Sequence, residues 1–185
     1  MPLLEPLRSS TQPLRQRLDE SSRPDEICGS RERFVTWLEA FDSALVRCWP
    51  WMDWRRLSKL GLNDSDRREL RYVFLREELL AWGGLPRSLP SPHGADGAEA
   101  VGAAYALESL LDTARALHER AEAVFGPPQD GERKFPTIMR EDSEELRDRL
   151  HRWLESLDAD DEFAYRACAA ACQTFEVFLA ALGTD

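Results

Sequence analysis

Residues 102–114 read Gly102-Ala103-Ala104-Tyr105-Ala106-Leu107-Glu108-Ser109-Leu110-Leu111-Asp112-Thr113-Ala114, the middle of the longest helical segment in the chain. That segment is predicted from about Ala98 to Phe125. Gly126-Pro127-Pro128 terminates it, since glycine suits the residue after a helix end and proline cannot continue a helix. Outward from this stretch, apolar residues recur at three-four spacing, which marks amphipathic helices. Toward the C-terminus, the stretch leading to Arg140 reads as irregular. The next helix starts near Asp142, with Glu145 three residues on as its capping-box partner, and its stripe is Leu146, Leu150, Trp153, Leu154 and Leu157. A last helix runs from about Asp161 to Leu182, with Ala167, Ala171, Phe175, Phe178 and Leu182 on one face, and Gly183 ends it.

Toward the N-terminus, Asn63 or Asp64 can cap a helix that carries Leu70, Val73, Phe74, Leu80 and Ala81 as its apolar residues. Gly83-Gly84 closes it. The Pro-, Ser- and Gly-rich stretch from Leu85 to about Gly97 reads as a loop, either a lid or a plain connector. A helix from about Ser30 to Trp49 has Phe34, Trp37, Leu38, Phe41, Leu45 and Cys48 on one stripe, and Pro50 stops it. Trp49, Trp51 and Trp54 cluster at that break, either as a ligand wall or as packing at a corner. The first segment places Leu4, Leu7, Thr11, Leu14 and Leu18 at helical spacing. Pro13 either lies in the first turn of a helix that starts near Ser10, or kinks a longer one. Residues 19–30 are polar and read as a loop. No strand alternation, repeat or domain linker interrupts the pattern. The fold class is an all-α multi-helix bundle, and residues 1–185 form a single domain.

The chain has 185 residues, 43% of them hydrophobic and 31% charged, which is ordinary for a water-soluble globular protein. A net charge of −10 argues against a general nucleic-acid binder, because phosphate contacts need a basic face. Met1-Pro2-Leu3-Leu4-Glu5-Pro6 has neither the basic start nor the apolar run of a secretory signal, and no apolar run approaches the ~20 residues of a membrane helix. No membrane association and a cytoplasmic location are therefore expected. Lys59 and Lys134 are the only lysines; the arginine bias reads as base composition rather than function. Cys28, Cys48, Cys168 and Cys172 form no C-x-x-C pair. Cys168 and Cys172 can share a helix face, but no histidine lies near enough in sequence to complete a zinc set. All four read as buried small residues in a reducing compartment.

Two stretches together carry a resemblance. The first is Leu7-Arg8-Ser9-Ser10-Thr11-Gln12-Pro13-Leu14-Arg15-Gln16-Arg17-Leu18-Asp19, which resembles the first helix of the bacterial, biliverdin-producing heme oxygenases, Leu-Arg-x-x-Thr-x-x-x-His-x-x-Leu-Asp. The second is residues 102–114, which resemble that family's Gly-x-x-Tyr-Val-x-Glu-Gly-Ser-x-x-Gly-Gly. Residues 68–83 and the final helix with Thr174 and Phe175 are similar to the family more weakly. The resemblance implies a heme oxygenase-like bundle, and it implies that Arg15, Thr11, Tyr105, Glu108, Ser109, Thr113 and Ala114 stand at heme-site positions. Arg15 occupies the place of the proximal histidine, and a guanidinium offers no lone pair to iron. Ser109, Thr113 and Ala114 occupy the places of glycines that let the family's helix approach and bend over the heme. Gly102, Tyr105 and Glu108 match.

The resemblance thus implies a divergent member with a degenerate heme site, in which heme binding is doubtful and no catalytic residue or metal ligand is assigned. The expected role is binding or regulation on the scaffold. A tetrapyrrole, a bilin or a small acid would pair with Arg15 in a pocket between the first and fourth helices, and a protein partner would serve a scaffold whose pocket has closed. Arg15 alternatively reaches solvent or pairs with Asp19. The other reading is a heme oxygenase that cleaves heme to biliverdin with unusual iron ligation. The only histidines are His93, His118 and His151. His93 lies in the Pro-rich loop, His118 lies ~20 Å beyond Tyr105 along the helix, and His151 flanks the stripe of the fifth helix. Each reads as a surface or partly buried histidine. A di-iron site is not expected: Glu77, Glu78, Glu108 and Glu119 exist, but no Glu-x-x-His does.

Overall fold

Side-chain caps fix where four of the helices begin. The Ser30 hydroxyl accepts from the Arg33 N–H, Asp53 from Arg56 and Asp160 from Phe163. Asp96 and Glu99 form a reciprocal capping box, which satisfies two otherwise orphaned groups. The computed structural model describes residues 1–91, 94–128 and 134–183. Among the described residues there are eight helices, α1 (Leu4–Ser21), α2 (Pro24–Ile27), α3 (Arg31–Cys48), α4 (Trp54–Lys59), α5 (Ser65–Ala81), α6 (Gly97–Phe125), α7 (Lys134–Ser156) and α8 (Asp161–Ala181), and no strand. None of these helices is long and apolar enough to cross a membrane.

The stripes of α3, α7 and α8 lie where the spacing puts them. Phe34, Trp37, Leu38, Phe41, Leu45 and Cys48 are all buried, as are Leu146, Leu150, Trp153 and Leu154, and Ala167, Ala171, Phe175 and Phe178. Of the two readings of the first segment, the longer helix is the one that forms: it begins at Leu4 with Pro13 inside it, and a proline there has no N–H to give the Ser9 carbonyl. Two boundaries differ. Residues 19–30 contain the end of α1 and the single turn α2 instead of a plain loop. The fifth predicted helix begins at Lys134 rather than near Asp142. Pro136 sits in its first turn, where a missing N–H costs nothing. Asp142 and Glu145 are therefore not a capping pair. Both reach Arg67 on α5.

The apolar face expected for α5 is overturned at Leu70, Val73 and Leu80, while Phe74 packs against the core. Leu70 is 46% exposed, Val73 39% and Leu80 54%, while Arg68, Arg71, Tyr72, Leu75, Glu78 and Leu79 are buried. This helix turns its charged face inward. The tryptophan cluster at the preceding corner is packing: Trp49 and Trp54 are buried with ring centroids 6.1 and 5.8 Å from Tyr72.

α6 runs through the centre. Every residue from Ala100 to Leu107 is buried, as expected of a helix covered on all sides. Its closest neighbour is α8, which passes in the same direction, and the contact is made at Gly102. A β-carbon there would come within 2.0 Å of the Ala167 carbonyl oxygen and 2.9 Å of the Ala171 nitrogen. The glycine thus serves helix–helix approach. Gly102→Ala gains about 0.5–1 kcal/mol of helix propensity but pushes two backbones apart. The expected net result is a loss of about 1–3 kcal/mol, read as a lower urea midpoint; an unchanged or raised midpoint would show that α8 shifts freely.

Candidate functional site

Residues 102, 109, 113 and 116 of α6 lie at i, i+7, i+11 and i+14 and so share one face. At Gly102 that face is sealed against α8. Two turns further on, the same face borders a cleft of about 320 Å³ between α1 and α6. Ser109, Asp112 and Thr113 line it from α6 and Arg15 and Asp19 from α1, while Leu18, Leu117 and Phe175 form an apolar inner wall. All three of those apolar residues are buried.

The polar groups of the cleft are unequally occupied. The Ser109 hydroxyl donates to the Tyr105 carbonyl at 3.2 Å, leaving its oxygen to accept. Asp112 accepts from Arg147 Nη1 at 3.2 Å. Arg15 and Asp19 are both exposed, and among the described residues neither makes an ion pair or hydrogen bond. The Arg15–Asp19 pairing allowed by sequence does not form. The order Arg-then-Asp at i, i+4 is also the less favourable one on a helix.

Of the seven positions singled out in the sequence, the structure brings Arg15, Ser109 and Thr113 together in this cleft. The other four point elsewhere. Thr11 is buried, with its hydroxyl donating to the Leu7 carbonyl at 2.7 Å. Ala114 is core, and Tyr105 is buried with its phenol oxygen unpartnered. Glu108 lies about a quarter-turn of the helix from the cleft face, where Arg68 Nη1 donates to it at 2.7 Å and Arg71 Nη2 grips its carboxylate. Tyr72 reaches the same carboxylate at 3.4 Å. Burial pushes the Tyr72 phenol well above its ordinary pKa, and the neighbouring carboxylate acts in the same direction. Arg68 also binds Asp64 through Nε at 2.7 Å and the Leu146 carbonyl at 2.5 Å. Asp64 therefore serves Arg68 and does not cap α5. Spacing arguments missed these arginines, because a hydropathy stripe cannot register a charged face that is buried.

The histidines stand apart from the cleft or outside the description. His118 is fully buried, a correction to its reading as a surface or partly buried residue: it sits between the Phe34 and Phe135 rings at 5.2 and 4.9 Å, with Nδ1 2.9 Å from the Ala114 carbonyl. His151 is half-buried on α7, 3.4 Å from Arg8; burial lowers its pKa and Arg8 adds to the effect. His93 lies outside the described residues. Among the described residues no three His, Cys, Asp or Glu side chains group as metal ligands. Glu77 pairs with Lys134 and Glu119 with Arg115, while Glu78 accepts from the Trp82 indole. All four cysteines are free; Cys28 and Cys48 are buried, but Cys168 and Cys172 are half-exposed, which corrects their reading as buried. Burial drives the Cys48 thiol to about 12, so it is chemically quiet.

Glu108→Leu leaves two buried guanidinium groups short of their anion and should cost about 3–5 kcal/mol, measured by urea denaturation; a loss under about 1 kcal/mol would mean that water compensates. Arg15→Gln, by contrast, removes no contact among the described residues and should leave stability within about 0.5 kcal/mol. No protein-family model, curated protein or solved structure matches this chain.

Proposed function

We propose that this protein is a heme oxygenase-like scaffold that binds a small carboxylate-bearing ligand in the α1–α6 cleft and does not degrade heme. The observation that carries the reading is Arg15, without an ion-pair or hydrogen-bond partner among the described residues, lining that cleft together with Ser109 and Thr113. A guanidinium presents a rigid fork of donors that matches a carboxylate, and the Thr113 hydroxyl supplies a further donor. Heme fits these residues poorly. The cleft offers arginine where iron needs a lone pair, His118 is wedged between two phenyl rings, and a volume of about 320 Å³ is near the bottom of the range for small-molecule sites, about 300–1,000 Å³. That size suits a compact acid better than a tetrapyrrole or bilin.

A protein partner is the second reading, favoured by the outward Leu70, Val73 and Leu80 of α5. Such a stripe on an otherwise well-packed body is the surface a partner would cover.

Hemin titration followed by optical absorption tests the negative half. The expected response is broad, weak and non-saturating, in the native chain and in Arg15→His alike; a sharp Soret band saturating near one equivalent, with biliverdin formed on reduction, would overturn it. For the positive half, 3-phenylpropionate should shift the amide signals of residues 15–19 and 109–117, and Arg15→Gln should abolish the shifts. Identical shifts in Arg15→Gln would remove Arg15 from the site.

A further inference from the structure

The cleft holds more than a cation. Asp19 lines it from the same helix as Arg15, one turn on, and it too lacks a partner. Asp112 faces them from α6, partly neutralised by the exposed Arg147. Among the described residues the lining charges are therefore one free cation, one free anion and one shared anion. A ligand carrying only a carboxylate would place a third negative charge among them. A ligand carrying only an amine would leave Arg15 unanswered. A molecule with both groups adds no net charge and answers both free side chains.

We infer that the cleft takes a small zwitterion, an α-amino acid with an apolar side chain, with its carboxylate on Arg15 and its ammonium on Asp19. This rests on the carboxylate-binding reading and narrows it. The hydroxyls sort the same way. Ser109 spends its proton on the Tyr105 carbonyl, so its oxygen accepts from an ammonium. The Thr113 hydroxyl has no acceptor among the described residues and donates to a carboxylate. Leu18, Leu117 and Phe175 make the inner wall, which sets an apolar or aromatic side chain inward. Both charged contacts are open to water, so each adds little and the affinity is modest.

The test compares L-phenylalanine, 3-phenylpropionate and 2-phenylethylamine by amide chemical-shift titration of the native chain. Phenylalanine should bind about three- to tenfold more tightly than either single-charge analogue, the size expected of one exposed ion pair. Asp19→Asn should reduce phenylalanine to the level of 3-phenylpropionate while leaving 3-phenylpropionate itself unchanged or improved. Arg15→Gln should weaken both. Thermal melts of the two variants, unchanged from the native chain, show that the fold is intact. Equal binding of phenylalanine and 3-phenylpropionate would overturn the zwitterion and leave the carboxylate site standing. Tightest binding of 2-phenylethylamine, or no shift at the cleft with any of the three, would overturn both.

Discussion

The buried guanidinium of Arg68 is the constraint around which the other elements arrange themselves. It binds Asp64 ahead of α5, Glu108 on α6 and the Leu146 carbonyl on α7, so three segments must meet at one planar group. Burial of ions costs several kcal/mol each, and attraction offsets that cost only when the geometry is good and every donor is used. Such a cluster contributes little net stability. What it does contribute is orientation. With Glu108 clamped by Arg68 and Arg71, α6 cannot turn about its axis, and that fixes which of its side chains look toward α1.

The cleft follows from this orientation. Gly102 brings α6 onto α8, and Ser109 and Thr113, on the same face, line the cleft beside α1 two to three turns further on. The result is a polar mouth over an apolar wall, on a rigid helix pinned from behind. A binding site built on pinned helices holds its groups closer to a productive geometry than one built on loops.

The reading of the sequence succeeded where one face of a helix is wet and the other dry. Phe34 to Cys48, Leu146 to Leu154 and Ala167 to Phe178 each follow that rule, and each lies where its spacing puts it. It failed at α5, where Leu70, Val73 and Leu80 make a plausible core stripe, whereas Arg68, Arg71 and Glu78 are buried beside Tyr72, Leu75 and Leu79. Pairing with partners 40 and 78 residues away in the chain leaves no local signal. α2 and α4 are too short for any period to register. In the cleft, Arg15, Ser109 and Thr113 were visible because helical spacing and a motif coincide there. Phe175 and Asp112 became cleft residues only through tertiary packing, and Asp19 had been legible solely as a neighbour for Arg15.

The inverted helix also has a kinetic side. The inward face of α5 joins Tyr72, Leu75 and Leu79 to Arg68, Arg71 and Glu78. Its apolar members can be covered by any greasy surface, but its guanidinium groups are fully satisfied only once residues 108 and 146 are in place. Contacts that distant in the chain are slow to form. The seating of α5 is therefore tied to the arrival of α6 and α7, and this helix locks together with them rather than ahead of them.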